Sequence, residues 1–182
     1  MTTDSFRSLV AAVVASSQAH TWSAAVQEWI VTDVEDDPDH DGVCVCGQTG
    51  LGQLFTIKNR VNGAELFPIG SVCVNKFEQA DLDRQVTVFA QLLGLRKALR
   101  EGKDITLTSE YFSRALLEHF FYQGVFQPNQ WNGNDAENDY EFMVDMFNKR
   151  DKNSLSRKQN AKIYMLLKNA VLPFVEAGDR PQ

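Results

Sequence analysis

Residues 40–77 read HDGVCVCGQTGLGQLFTIKNRVNGAELFPIGSVCVNKF and decide how this chain of 182 residues folds. They contain all three cysteines of the chain, and within them the helical spacing of apolar residues disappears. Gln53–Lys58 has the composition of a strand, Asn62-Gly63 is a hairpin turn signal, and Glu65–Ile69 can form the returning strand. The stretch therefore predicts a β-hairpin.

Four side chains in this stretch suit a metal ion. They are His40, Cys44, Cys46 and Cys73. Tetrahedral Zn²⁺ takes four nitrogen or sulfur ligands, and three cysteines with one histidine form a common structural set. Ser71 can cap a short helix whose N-terminal end favours the Cys73 thiolate. Because the hairpin would fold this helix back onto the first pair of cysteines, we expect a structural Zn²⁺ in a treble-clef-like module.

Two other interpretations of the same residues stay open. The cysteines can instead be small buried apolar side chains or reactive thiols, with His40 exposed in a loop. Alternatively, the series Asp37-x-Asp39-x-Asp41-Gly42 matches the start of a calcium-binding loop. Its twelfth position is Gln48, where such loops carry glutamate.

The rest of the chain has mostly helical periodicity. Residues 5–30 predict one bent helix or two short ones, and the acidic run Thr32–Gly42 predicts a solvated loop. Further helices are expected from Asp81 to about Arg100, from Thr108, after a capping pair at Asn134 and Glu137, and after a capping box at Ser156 and Gln159. The fold class that follows is α+β, mainly helical with the small zinc hairpin. We expect a single domain over residues 1–182, with the zinc-binding hairpin module at 33–78 and a helical region at 79–182.

A local pattern resembles one found in small bacterial and phage-associated proteins described as zinc-binding and of unknown function. The residues that carry the resemblance are Cys44-Val-Cys46-Gly47, Phe55-Thr-Ile57-Lys-Asn59, Asn62-Gly63 and Ile69-Gly70-Ser71-Val-Cys73 with Phe77. The tail segments Phe142–Met146 and Leu155–Gln159 are similar to the ends of proteins from the same setting. The resemblance implies a zinc-bearing module of phage or other mobile-element origin, and it implies no particular activity. His40 lies outside the resembling residues, so its role as a ligand rests on counting alone.

Charge is unevenly distributed along the sequence. The formal net charge is −6, which argues against a uniformly basic nucleic-acid binder. Residues 148–168 nevertheless carry seven basic residues and one acidic residue. The residues expected to contact phosphates are Lys149, Arg150, Lys152, Arg157, Lys158 and Lys162. We expect a non-enzymatic accessory protein that binds nucleic acid through this helical face. A simpler interpretation is that these residues form an ordinary solvated helix face.

A second function class rests on other residues. The acidic loop and the aromatic patches, with Trp131 in a loop rich in Gly and Asn, suit a protein-binding adaptor or an inhibitor of a host complex. The sequence alone does not decide between a host or phage protein partner and a nucleic-acid partner.

The sequence also argues against an enzyme and against a membrane protein. It has no phosphate-binding glycine loop, no His-Glu-x-x-His, no Gly-x-Ser-x-Gly and no zinc-deaminase signature, so we expect no catalytic residues. Its longest uninterrupted apolar run, Leu9–Ala15, is far shorter than a membrane span. The odd number of cysteines favours a reducing compartment, and we expect a cytoplasmic protein without a cleaved leader.

Overall fold

The structure, a computed structural model, describes residues 3–178, and the chain divides into two compact units, Met1–Leu93 and Gly94–Gln182. Helices and small antiparallel sheets together make an α+β protein, as the sequence predicts. The prediction of one domain over the whole chain stays a prediction. No described helix combines the length and the apolar character that crossing a membrane requires.

The first unit contains both sheets. Its helices are α1 (Thr3–Ala15), α2 (Trp22–Ala25), α3 (Ser71–Val74) and the first part of α4 (Ala80–Arg100), with single 3₁₀ turns at Val26–Glu28 and Asn75–Phe77. Its strands are β1 (Trp29–Asp36), β2 (Gly42–Val43), β3 (Thr49–Leu51), β4 (Gln53–Asn59) and β5 (Glu65–Ile69). β4 is the central strand of the larger sheet, and β2 and β3 form a separate antiparallel pair.

The predicted hairpin is confirmed. β4 pairs with β5 in antiparallel register, with Phe55 opposite Ile69 and Lys58 opposite Glu65. Gly63 has φ +77°, the left-handed conformation that the Asn-Gly turn signal requires. The inward side chains of Phe55 and Ile69 are fully buried in the core of this unit.

The N-terminal prediction is wrong between Trp29 and Asp36. We expected helix and then a solvated acidic loop, but these residues form β1, which pairs antiparallel with β4. Val31 and Val34 are buried, whereas the acidic side chains Asp33, Glu35 and Asp36 are exposed. A register shift between Val31 and Asp33 breaks the simple alternation that marks a strand. The acidic run is therefore in large part the solvent-facing side of an edge strand.

The carboxylate of Glu28 joins the segment between α1 and α2 to the sheet. Glu28 accepts hydrogen bonds from the backbone N–H groups of Gln18 (2.9 Å) and Ala19 (2.8 Å) and from Asn59 Nδ2 (2.6 Å). Asn59 is buried at the end of β4. The hydrogen bond from Asn59 and those from the two backbone groups lower the pKa of Glu28 below its ordinary value.

The second unit is helical. It contains the end of α4, α5 (Arg114–Tyr122), α6 (Ala136–Asn148), α7 (Arg157–Leu166) and α8 (Leu172–Ala177), with a 3₁₀ turn at Lys152–Ser154 and a π-helical turn at Leu167–Val171 between α7 and α8. Its buried side chains include Phe112, Leu116, Phe120, Met143 and Val171.

The predicted helix starts are correct in part. The capping box at Ser156 and Gln159 is confirmed, because each side chain hydrogen bonds to the other residue's backbone N–H. The helix expected from Thr108 begins instead at Arg114, since Ser113 supplies the cap by accepting a hydrogen bond from Leu116 N. The cap of α6 is Asp135 rather than Asn134.

Candidate metal centre and basic surface

Cys44 and Cys46 lie on a tight turn between β2 and β3. The backbone N–H of Cys44 donates to Gln48 O (2.8 Å), and that of Gly47 donates to Cys44 O (2.7 Å). Gly47 has φ +83°, which a residue with a side chain adopts only with strain. The turn therefore directs both sulfurs to the same side of the backbone, where both cysteines are 3% exposed.

Cys73 comes from the short helix α3, directly after the hairpin. Two hydrogen bonds hold the cysteine turn against the end of β5: Val45 N donates to the backbone oxygen of Pro68 (2.9 Å), and Gly70 N donates to the side-chain sulfur of Cys44 (3.3 Å). Cys73 N donates to Gly70 O (2.9 Å) in the first turn of α3. The hairpin thus brings Cys73 to a pair of cysteines more than 25 positions earlier in the chain.

The three sulfurs have the spacing of a metal-binding cluster. Cys73 Sγ lies 3.5 Å from Cys44 Sγ and 3.3 Å from Cys46 Sγ, and all three lie within 4.8 Å of one another. A tetrahedral ion with metal–sulfur bonds of about 2.3 Å places its sulfurs about 3.8 Å apart. The separations are too long for a disulfide, and all three thiols are free. Cys44, Cys46 and Cys73 could therefore hold a metal ion.

The electrostatics of the cluster favour a thiolate. Hydrogen bonding between the sulfurs of Cys73 and Cys44 lowers the pKa of Cys44 to about 5, with the Gly70 N–H assisting. The same sulfur–sulfur hydrogen bond and burial raise the pKa of Cys73. Thiolate is the form that binds metals, so the lowered pKa of Cys44 favours metal binding at that sulfur.

His40, the fourth ligand in our prediction, is not part of this group. Among residues 3–178, the ligand atoms that converge belong to Cys44, Cys46 and Cys73. His40 is exposed, its backbone has φ +55°, and its ring lies over Gly52, where an added Cβ would be 2.7 Å from Cε1. The structure therefore brings three of the four expected ligands together, and His40 lies at the neighbouring turn.

The residues of the alternative calcium loop have a different role. Asp37 is buried, and its Oδ2 accepts a hydrogen bond from Gly42 N (2.7 Å), while its own N–H donates to Gly52 O (3.1 Å). Asp39 and Asp41 are exposed, and within residues 3–178 they join no group of three converging ligand atoms. Asp37 therefore closes the turn that leads into β2.

No family model, no curated protein and no solved structure matches this chain.

Two of the six residues expected to contact phosphates are engaged within the protein. Lys152 Nζ donates to the backbone oxygens of Met146 (2.6 Å) and Phe147 (2.8 Å), and thus satisfies carbonyls at the C-terminal end of α6. Burial lowers the pKa of Lys152. Lys162 Nζ lies 2.7 Å from Asp139 Oδ1 and 4.6 Å from the centre of the Phe142 ring.

The other four basic residues remain available to a ligand. Arg150, Arg157 and Lys158 are exposed and Lys149 is half-buried, and no carboxylate of the described residues pairs with them. Arg157 and Lys158 lie in the first turn of α7, between the two residues of the capping box. These four residues are called the basic surface below.

Sequence reasoning missed a buried polar network beside α7. Asn132 and Asp139 are 4% and 3% exposed, and Asn132 Nδ2 donates to Asp139 Oδ2 (2.8 Å) and to Gln127 O (2.9 Å). Because these residues lie in a segment with several Asn, Asp and Gly residues, their composition indicates an ordinary loop. The acidic position on the inward side of α6 is the one sequence signal that could have revealed the network.

Proposed function

We propose that Cys44, Cys46 and Cys73 bind a structural Zn²⁺ together with His40, and that the protein is a non-enzymatic accessory protein that binds nucleic acid. The observation that carries the proposal is the convergence of three buried thiols from a turn and a helix. When bound, the ion would fix the cysteine turn to the start of α3, because it would bond to both. His40 would have to turn from its place over Gly52 to become the fourth ligand, and the site would then have no open position for a substrate, which is why we propose a structural role.

Zinc suits these residues better than calcium or magnesium does. Thiolates are soft ligands that select zinc, copper(I) or iron–sulfur clusters, whereas calcium and magnesium take oxygen ligands. The Gly70 N–H donated to Cys44 Sγ stabilises negative charge on that sulfur, as hydrogen bonds around structural zinc sites do. The convergence of the three thiols also supports the zinc-binding hairpin module that we propose as part of the fold.

The role of His40 is tested by its removal. We expect His40→Ala to weaken zinc binding, measured by competition with a chromophoric chelator, since three ligands remain. Asp39→Asn is the matched control, because Asp39 is an exposed residue of the same loop and belongs to the calcium alternative. Equal zinc affinity in wild type and His40→Ala would show that the fourth ligand is another group.

The nucleic-acid part of the proposal rests on the basic surface. The second unit carries 13 of the 18 Lys and Arg residues of the chain, and the four residues of the basic surface are not neutralised by described carboxylates. Lysine and arginine that contact phosphates release counterions, so affinity falls steeply with salt. The phage-associated origin implied by the sequence resemblance fits an accessory role of this kind.

A salt titration tests this part. We expect Arg157→Gln/Lys158→Gln to weaken binding of a labelled oligonucleotide and to reduce the slope of log affinity against log salt by about 2, one for each lost contact. Arg7→Gln/Lys103→Gln removes the same charge from two exposed ion pairs and should leave the slope unchanged. If wild type binds no oligonucleotide at low salt, nucleic-acid binding is excluded and the protein-adaptor alternative takes its place.

A further inference from the structure

A pocket of about 560 Å³ lies within the second unit. One wall is the loop Val125–Trp131, and the other is α7 with the π-helical turn that follows it. Its apolar lining includes Phe126, Trp131, Met165 and Leu166. Ligand sites in proteins are typically pockets of roughly 300–1,000 Å³ with an apolar lining and a few polar groups, so this pocket has the size of a ligand site.

Trp131 is 86% exposed, yet its loop is well defined by hydrogen bonds. Asn129 Oδ1 accepts from Trp131 N (2.8 Å), and Asn132 Oδ1 accepts from Asn129 N (2.8 Å). The buried side chain of Asn132 is held in turn by Asp139. Because the loop is already ordered, the indole side chain loses little conformational entropy when a flat ligand stacks on it.

The opposite wall contains a rare backbone feature. Leu167–Val171 is a π-helical turn, and its residues Asn169 and Ala170 line the pocket. Single π-helical turns within helices are uncommon and are frequent at functional sites. Met165, one turn earlier, is 53% exposed at the same wall. Apolar surface and an amide side chain thus face the indole across the pocket.

The charge beside the pocket favours an anionic occupant. Lys158, Lys162, Met165 and Asn169 recur at the helical spacing i, i+4, i+7 and i+11, so they lie along one face of α7 and its continuation. The last three line the pocket, where Asp139 neutralises Lys162, and the exposed Lys158 continues the same face by one turn and supplies the uncompensated positive charge. A ligand with a flat apolar part and a phosphate fits this arrangement, whereas an apolar peptide would leave Lys158 unused.

We propose that this pocket binds one unpaired base of a single-stranded nucleic acid, stacked on Trp131, while a neighbouring phosphate contacts Lys158 and Arg157. The inference rests on the proposed nucleic-acid binding and adds the substrate class, since a base inside a duplex cannot stack on a protein side chain. Asn169 supplies an amide donor and acceptor at the pocket for the edge of the base, whereas the Asn129 amide holds the loop through Trp131 N and Gln127 O.

The experiment compares two oligonucleotides of equal length, a thymidine 12-mer and a 12-mer of abasic residues. Both carry the same phosphates, but only the first has bases to stack. We expect Trp131→Ala to weaken binding of the thymidine 12-mer about 5-fold to 100-fold and to leave binding of the abasic 12-mer unchanged. Trp131→Phe should retain most of the affinity. Tyr122→Ala removes another exposed aromatic side chain of the second unit and is the matched control.

Tryptophan emission gives an independent readout. Trp29 is buried and Trp22 is half-buried, so quenching by the thymidine 12-mer should come from Trp131 and vanish in Trp131→Phe. Unchanged binding of the thymidine 12-mer by Trp131→Ala, with weakened binding by Arg157→Gln/Lys158→Gln, would overturn the base pocket and leave phosphate binding standing. A wild type that binds neither 12-mer would overturn the proposed function together with this inference, and a protein segment would then be the occupant to test.

Discussion

Lys162 Nζ lies 2.7 Å from Asp139 Oδ1, and the side chain of the buried Asp139 is 4% exposed while that of Lys162 is 36% exposed. The pair joins α7 to α6, and Asn132 completes the hydrogen bonding of the carboxylate from the loop before α6. A residue that the sequence suggests as a phosphate contact is therefore the counterion of a buried acid.

Lys162→Met should destabilise the protein by about 2 kcal/mol, because it leaves a buried carboxylate without its counterion. Urea unfolding measures the effect. Arg157→Gln, an exposed change on the same helix, should stay within about 0.5 kcal/mol of wild type. The double variant Asp139→Asn/Lys162→Met should recover much of the loss, since an amide at residue 139 can still pair with Asn132. Equal stabilities of Lys162→Met and Arg157→Gln would contradict this role.

Glu28→Gln should destabilise the first unit at neutral pH. The glutamine has one acceptor oxygen, whereas the Glu28 carboxylate accepts three hydrogen bonds. The pKa of Glu28 is lower in the folded than in the unfolded protein, so its contribution is fully present above the unfolded value of about 4.3. It is lost as the pH falls through the folded value. Urea midpoints of wild type and variant should therefore converge in acid, and a constant difference at every pH would rule out this linkage.

Two glycine-to-alanine changes should act in opposite directions. Gly47 has φ +83° with no atom within 4 Å of an added Cβ, so Gly47→Ala should cost about 1–2 kcal/mol through backbone strain alone. Gly94 lies exposed inside α4 with the same free space, and Gly94→Ala should stabilise by about 0.5–1 kcal/mol. Thermal unfolding measures both. Stabilisation by Gly47→Ala would show that the cysteine turn adopts another conformation.

Local patterns were sufficient to predict the hairpin and the cysteine cluster. The Asn62-Gly63 turn and the apolar residues around it determine the β4–β5 pairing, and that pairing brings Cys73 towards Cys44. β1 was missed because its partner, β4, lies about 20 residues further along the chain. The acidic side chains of β1 also obscure the apolar pattern of its two inward valines. Long-range pairing of this kind leaves no signal within a short window of sequence.

The roles of individual charges were the least predictable part. Lys152 and Lys158 are alike in sequence context, but Lys152 donates to the end of α6 and Lys158 faces solvent. Which lysine remains available to a ligand depends on where α6 ends and on how α7 packs. Neither can be predicted from residue type alone. The same reason applies to His40, because its ring orientation depends on the turn at Gly52.

The central claim is that the three cysteines hold a zinc ion, and metal analysis of protein purified under reducing conditions tests it most directly. Native mass spectrometry with elemental analysis should find about one zinc per chain in wild type and in Asp39→Asn, and little in Cys73→Ser. Chelation of the wild type should also increase amide hydrogen exchange at Val45 and Gly70, whose N–H groups hold the turn. The claim would be contradicted if the wild type contained no zinc, took up none when zinc was supplied, and showed the same amide protection at Val45 and Gly70 with and without chelator.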